Sequence, residues 1–169
     1  MEANGKSSRW RVALIGPNPK RTLMRIVVMI VAVWLARAYL VLPIFVHGSS
    51  MLPTYRERGV NFVNRLAYVW SEPKRGDVVA IRLAGQSVMY MKRVVGLPGD
   101  TVAFHQGRLL INGNPISEPY LQPGCDWEIP PETVGPGLYY VVGDNRSLPE
   151  RFHEKGKTPK QRIVGKVLL

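Results

Sequence analysis

The sequence predicts a mainly β protein, with an N-terminal transmembrane helix followed by an antiparallel β-sheet domain. Residues 26–46 form an almost uninterrupted apolar run in which Arg37 is the one charged residue, and about 20 such residues suffice to cross a bilayer. After this run, short segments rich in β-branched and aromatic residues alternate with glycine and proline, as in strands joined by turns. The chain has 169 residues, enough for one such domain and a short extension.

The charge before the apolar run predicts how the helix is oriented. Residues 1–25 carry six Lys and Arg residues against Glu2 alone, and basic flanks stay on the cytoplasmic side of a membrane. We therefore expect three parts: a cytoplasmic basic N-terminus (1–21), a signal-anchor helix (22–42) and an extracytoplasmic β-rich domain (43–169). The expected location is the inner (plasma) membrane, crossed once, with membrane lipid as a partner.

A cleaved signal peptide is the alternative interpretation of the same run. Ala36-Arg37-Ala38 fits the small-x-small pattern of a cleavage site. Residues 39–46 continue the apolar run past that site, which favours a retained anchor ending near Pro43, because proline terminates helices.

Composition excludes several classes of protein. The formal net charge is +11, but the excess lies at the two ends: residues 47–150 carry ten basic and ten acidic residues. We find no basic helix or stripe interleaved with aromatics, so nucleic acid is not an expected partner. Cys125 is the one cysteine, which excludes a disulfide within the chain and a cysteine-rich zinc site. No metal or organic cofactor is implied.

The predicted strands are short, and their turns are recognisable. Asn112-Gly113 is a strong signal for a tight hairpin, and Pro98-Gly99 fits the centre of a type II turn. Residues 118–136 contain five prolines without periodicity, and we interpret them as an extended surface loop. Six segments have strand character: Asp77–Arg82, Ser87–Val95, Thr101–His105, Arg108–Ile111, Leu138–Val142 and Ile163–Leu168.

Three clusters of residues carry chemistry. The first, Gly48-Ser49-Ser50-Met51-Leu52-Pro53-Thr54, is by itself compatible with a simple loop. In the second, Tyr90-Met91-Lys92-Arg93 and the seven residues up to Asp100, strand alternation places Lys92 on an apolar face and Arg93 on the opposite one. A desolvated lysine loses its charge more readily and can then act as a general base.

The third cluster is Leu138–Arg146, a strand that runs into Gly143-Asp144-Asn145-Arg146. Local turn bonds of Asp and Asn would explain it without any further role. A Ser-His-Asp triad using His47, His105 or His153 stays open at this point, because such sets assemble from distant positions.

Together and in this order, the three clusters resemble the bacterial type I signal peptidases, membrane-anchored serine peptidases of family S26 with a Ser/Lys dyad. GSSMLPT resembles the nucleophile segment, RGDVVAIR at 75–82 the next strand, YMKRVVGLPGD the segment of the lysine base, VVGDNR the final motif and IVGK at 163–166 the closing strand. The resemblance implies a β-sheet domain of the type shared with self-cleaving repressors. An apolar N-terminus here replaces the DNA-reading domain of those repressors.

The resemblance also implies a mechanism. Ser50 is the expected nucleophile, Lys92 the general base and the Ser50 backbone N–H the oxyanion donor. Asp144, Asn145, Arg146 and Ser147 are the expected supporting residues. Some relatives add a serine hydroxyl two positions before the nucleophile, where this chain has Gly48.

Substrates follow from the same resemblance. The family removes signal peptides from exported preproteins by cutting after small residues, typically Ala-x-Ala, and the export translocon is a possible partner. The residues expected to form shallow apolar subsites are Ile44, Val46, Met51, Tyr55, Tyr90 and Met91. Two alternatives are a specialised pilin-maturation peptidase and a catalytically impaired relative that binds signal peptides without cutting them.

One segment departs from the family pattern. Many relatives carry serine, aspartate and arginine at the third, fifth and seventh positions after GDNR, where this chain has Pro149, Arg151 and His153. Ser147 is a candidate to replace the missing serine. Glu150 together with Arg151 or His153 is a candidate to replace the missing ion pair.

Overall fold

The computed structural model describes residues 18–45, 48–82, 89–153 and 155–168. The chain divides into two compact units, residues 1–40 and 41–169. The described part of the first unit consists of Asn18 and the helix α1 (Pro19–Leu40). The second unit is built from antiparallel strands, as predicted.

Helix α1 carries a run of apolar residues. Large side chains between Leu23 and Leu35 are 42–65% exposed; three of the four basic residues of the helix, Lys20, Arg21 and Arg25, lie near its start, and Arg37 lies near its end. Within the part of the chain that the structure describes, no helix combines the length and the apolar character that a membrane crossing requires.

The helix begins and ends earlier than the predicted range 22–42. The chain after Leu40 is extended and forms strand β1 (Val41–Phe45), which contains Pro43. Proline disfavours a helical conformation of the residue before it, and Val41, Ile44 and Phe45 are of types that prefer strands. The change from helix to strand therefore lies within the continuous apolar run and has no polar residue to mark it.

The strands of the second unit form two sheets. The larger has seven strands in the order β1-β2-β11-β3-β4-β9-β10, and the smaller has four in the order β7-β6-β5-β8. The remaining strands are β2 (Val60–Asn64), β3 (Val78–Arg82), β4 (Met89–Gly96), β5 (Thr101–His105), β6 (Arg108–Ile111), β7 (Asn114–Pro115), β8 (Ile129–Thr133), β9 (Leu138–Val142), β10 (Gly156–Pro159) and β11 (Ile163–Leu168).

All six predicted strands and both predicted turns are confirmed, with bounds that differ by at most two residues; positions 87 and 88 of the predicted Ser87–Val95 lie outside the described residues. Ile111 pairs with Asn114 across Asn112-Gly113, and both turn residues have positive φ, 53° and 79°, as a tight hairpin requires. Gly99 has φ 92° and Asp100 N donates to Leu97 O at 3.0 Å, which closes the predicted turn.

The prediction of an unstructured loop over 118–136 is wrong in part. Within it, β8 pairs with β5, and Thr101 faces Thr133. Pro130 and Pro131 are tolerated because β8 is a terminal strand and its ladder with β5 is irregular between Val102 and Phe104. Strands β2 and β10 were missed because asparagine, lysine and glycine weaken their strand signal.

The core of the second unit is largest where the two sheets meet. Its aromatic centre is Trp127, which is 1% exposed and lies 5.4 Å from the Phe104 ring. Residues of both sheets belong to this cluster: Val95, Val102, Phe104, Leu109, Ile111, Tyr140 and Val142. Strands β4 and β9, which carry the second and third sequence clusters, therefore pack against this apolar core.

Candidate active site

Ser50 and Lys92 lie in direct contact. The Lys92 Nζ atom donates a hydrogen bond to Ser50 Oγ at 3.0 Å. Lys92 stands in the middle of β4 opposite Val79 and is only 3% exposed. Ser50 lies in the turn that follows β1. A nucleophilic hydroxyl on a buried amine is the arrangement in which lysine can take the proton of the serine.

The segment that carries Ser50 is a tight turn. Leu52 N donates to Ser49 O at 3.1 Å, and Tyr55 N donates to Met51 O at 3.0 Å. The hydroxyl of Thr54 donates to Asp144 Oδ2 at 2.6 Å. The far end of the turn that carries Ser50 is therefore tied to the Gly143–Arg146 motif.

Asn145 holds the near end of the same turn. Its backbone N–H donates to Ser50 O at 2.9 Å, and its side-chain Nδ2 donates to Ser49 O at 3.0 Å. Asn145 thus holds two successive carbonyls of the turn that carries Ser50, so it does more than form a local turn bond.

Asp144 forms a buried ion pair with Arg93, the neighbour of Lys92. Arg93 Nε lies 2.8 Å from Oδ1, and Nη2 lies 2.6 Å from Oδ2, with Asp144 1% and Arg93 8% exposed. Burial opposes the charge on Arg93, but the bonds to Asp144 outweigh it and raise the pKa of the guanidinium. The Tyr120 ring lies 3.9 Å from Arg93 Cζ, a favourable cation–π distance.

Arg146 forms a second buried ion pair, which the sequence did not indicate. Its Nη1 and Nη2 atoms donate to the two oxygens of Glu118 at 3.0 and 2.7 Å, and its Nε donates to Gly143 O at 2.9 Å. Arg146 is 1% exposed. The one argument that could have predicted such a pair is chemical, because an arginine that is buried needs a carboxylate partner.

Gly143 is required by close approach. A Cβ atom at this position would overlap the carbonyl oxygen of Ser50 and would lie 2.6 Å from Cε1 of His153. The His153 ring is buried, and its Nε2 lies 3.0 Å from Asn145 O. His153 therefore packs directly against the motif that positions Ser50.

A shallow groove runs along the Ser50 side of the site. It encloses about 20 Å³, room for roughly one water-sized group. Four of the six predicted subsite residues line it together with Ser50: Ile44, Met51, Tyr90 and Met91. Phe45, Gly48 and Met89 also line it and were not predicted.

The other two predicted subsite residues have different positions. Val46 lies outside the described residues. Tyr55 belongs to the apolar cluster behind the groove, with Met51 and Met91, and is not one of the residues that line it. Burial raises the pKa of Tyr55 to about 12, so its hydroxyl is neutral at physiological pH.

The segment after Arg146, which departs from the family pattern, forms mostly local contacts. Ser147 Oγ donates to Asn145 Oδ1 at 2.6 Å. Glu150 pairs with Lys155 at 2.9 Å, and Arg151 stacks on the Phe152 ring at 4.8 Å. The expectation that Glu150 pairs with Arg151 or His153 is therefore wrong.

The histidines do not form the alternative triad in the described residues. His105 lies 3.2 Å from Glu128 and is mostly exposed, His153 bonds Asn145, and His47 lies outside the described residues.

Burial raises the pKa of the Cys125 thiol. The described residues hold no group of three His, Cys, Asp or Glu side chains suited to a metal ion.

An antiparallel β domain in which a serine hydroxyl contacts a buried lysine amine fits the class of the serine peptidases. Residues 20–169 match the family described as signal peptidase, peptidase S26. The chain belongs to the signal peptidase family, and the resemblance seen in its sequence is confirmed.

Individual relatives agree with this assignment. The chain is 38% identical to a signal peptidase I of Bacillus licheniformis over 88% of each chain. It is 39% identical to signal peptidase I S of Bacillus subtilis, over 83% of this chain and 82% of the relative. A match to a signal peptidase I of Leptolyngbya laminosa, 35% identical, covers 74% of this chain and 66% of the relative.

A solved structure is also similar. The signal peptidase I of Enterococcus faecalis V583 aligns with 58% of this chain and 98% of its own, at 27% identity and a TM-score of 0.43.

Proposed function

We propose that this enzyme removes N-terminal signal peptides from exported preproteins through a Ser50/Lys92 acyl-enzyme mechanism. The observation that supports it most is the 3.0 Å contact between Lys92 Nζ and Ser50 Oγ at a position where Lys92 is 3% exposed. Burial disfavours the charged amine, and the neutral amine is the form that accepts a proton.

The proposed reaction has two steps. Ser50 Oγ attacks the scissile carbonyl while Lys92 takes its proton. The backbone N–H of Ser50 stabilises the oxyanion. Lys92 then gives the proton to the leaving amine, and the signal peptide stays attached to Ser50 as an ester. Lys92 next takes a proton from a water molecule, which attacks the ester, and returns this proton to Ser50 Oγ as the ester bond breaks, so that the serine is regenerated and the signal peptide leaves with a free carboxyl group.

The groove beside Ser50 supports a preference for small residues. The groove is small, about 20 Å³, and its apolar lining suits the small side chains that cleavage after Ala-x-Ala needs. Ile44 and Phe45 line this groove, and they belong to β1, the terminal strand of the larger sheet. An extended peptide can add to such an edge through main-chain hydrogen bonds.

We further propose that the N-terminal segment anchors the enzyme in the inner (plasma) membrane, with a cytoplasmic N-terminus and an extracytoplasmic catalytic domain. The exposed apolar side chains of α1 support this, because such side chains are stabilised by a core or a bilayer around them. The basic residues at its start support the orientation. Membrane lipid and the export translocon are the corresponding proposed partners.

Cleavage-site mapping tests the function. Detergent-solubilised enzyme is incubated with a preprotein that carries an Ala-x-Ala site and, separately, with a pilin precursor, and the new N-termini are sequenced. We expect a single cut after the second alanine of the preprotein. A cut in the pilin precursor alone would indicate a pilin-maturation peptidase. Binding of the preprotein without any cut would indicate an impaired relative, and Pro149 would then be the first residue to replace.

Membrane attachment is tested separately. Membranes from cells that express the full chain are washed with alkaline carbonate, and the protein is expected to stay in the pellet. Its release into the supernatant would contradict the anchor without affecting the proposed chemistry.

A further inference from the structure

His153 is a buried histidine whose protonation state can be assigned from its contacts. It is 6% exposed. Its Nε2 lies 3.0 Å from the carbonyl oxygen of Asn145, and a carbonyl only accepts, so Nε2 carries the hydrogen. The Nδ1 atom is buried without a hydrogen-bond partner among the described residues. Protonation of Nδ1 would bury an unpaired donor, so the contacts favour the neutral ring.

A short chain of hydrogen bonds leads from His153 to the nucleophile. His153 Nε2 donates to Asn145 O, and Asn145 N donates to Ser50 O at 2.9 Å. The ring also lies so close to Gly143 that a Cβ atom added there would be 2.6 Å from its Cε1. On its other side, the Trp127 ring meets it edge-on at 4.7 Å between centroids. His153 is thus clamped between the apolar core and the motif that holds Ser50.

The electrostatic surroundings also keep the ring uncharged. Burial is the main reason that the pKa of His153 is lowered to about 4; nearby positive charge, including that of Arg146 and Lys155, acts in the same direction, and the hydrogen bond to Asn145 O acts against it. Arg146 is paired with Glu118, and Lys155 with Glu150. The ring is therefore neutral at every pH where the enzyme is expected to work, and it adds no positive charge near Lys92.

We propose that His153 is a positioning residue of the active site, which holds the Asn145 carbonyl through Nε2–H and so fixes the placement of Ser50 against Lys92. This inference rests on the proposed function. It also accounts for the segment after Arg146, where this chain has Pro149, Arg151 and His153. In place of the ion pair expected there from the family pattern, a neutral hydrogen-bond donor packs against Trp127.

Two substitutions separate positioning from simple packing. His153→Gln keeps an N–H donor at about the position of Nε2, whereas His153→Leu fills similar space without a donor. His105→Leu, at an exposed histidine outside the site, is the matched control. The measured quantities are kcat and KM for an Ala-x-Ala preprotein between pH 5.5 and 9, together with the folded fraction by circular dichroism.

We expect His153→Leu to lower kcat about tenfold per folded molecule, the effect of one lost hydrogen bond, with KM within twofold. His153→Gln should recover kcat to within about threefold, and His105→Leu should match the wild type. Should His153→Leu fail to fold, His153→Asn, whose donor is too short to reach Asn145, should show the same loss.

Three results would overturn the proposal. Equal kcat per folded molecule in wild type, Gln and Leu variants would leave His153 a packing residue only. Loss of the rising limb of the pH–rate profile in both variants would make His153 the base itself. A wild-type enzyme that cuts no preprotein would remove the proposed function and this inference with it, whereas an active wild type with unaffected variants removes this inference alone.

Discussion

Replacement of Asp144 by asparagine tests whether the buried ion pair holds the site together. The Asp144 carboxylate accepts two bonds from Arg93 and one from Thr54 at 1% exposure. Asp144→Asn keeps the shape but leaves the Arg93 charge buried and unpaired. Breaking a buried pair in this way costs about 3–5 kcal/mol, a large share of the roughly 5–15 kcal/mol that stabilises a domain.

The assay is urea unfolding of the full chain in detergent, followed by tryptophan fluorescence. Glu132→Gln is the control, because it removes an ion pair of similar length, 2.9 Å to Lys157, between partly exposed side chains. Such pairs contribute about 0.2–1 kcal/mol. The double variant Arg93→Met/Asp144→Leu removes both charges and should recover much of the stability. Equal losses in Asp144→Asn and Glu132→Gln would refute the reasoning.

Three further predictions concern the same motif. Gly143→Ala places a methyl group on the carbonyl of Ser50, so we expect about a 100-fold loss of preprotein cleavage; a rate within threefold of wild type would contradict this. Glu118→Gln leaves Arg146 buried without its carboxylate, and urea unfolding should show a loss of about 3–5 kcal/mol; a loss below about 1 kcal/mol would show that the pair is solvated. The pKa of His153 is about 4 in the folded chain against an ordinary 6.5, so the unfolded chain binds more protons between these values and stability falls as the pH drops from 7 to 4. Relative to His153→Gln, the wild type should lose about 3 kcal/mol over that range, and parallel stability curves would contradict the burial of a neutral ring.

Residue composition predicted much of the β domain because its strands are short and rich in β-branched or aromatic residues. The range Thr101–His105 was predicted with its observed bounds. Strand β1 was missed because Val41–Phe45 continues an apolar helix without a polar break. Strand β10 was missed because a terminal strand such as Gly156–Pro159 needs no apolar face.

The sequence predicted the principal residues of the site, but it did not predict which side chains form ion pairs around them. The motifs identified Ser50 and Lys92, which the structure brings to 3.0 Å across 42 positions of sequence. The partner of Arg146 was not predictable, because Glu118 lies 28 positions away in a segment without periodicity. Local spacing carries no information on such long-range ion pairs, since only the folded sheets determine which side chains meet.

The rate of preprotein cleavage by Ser50→Ala beside Ser49→Ala tests the central claim most directly. The two serines are adjacent, so both variants experience the same turn, and Ser50 accepts the hydrogen bond from Lys92 Nζ that the proposal assigns to the dyad. We expect Ser50→Ala to lose cleavage by several orders of magnitude and Ser49→Ala to stay within a few-fold of wild type. Sustained cleavage by Ser50→Ala, at the same site as wild type, would contradict the assignment of the nucleophile.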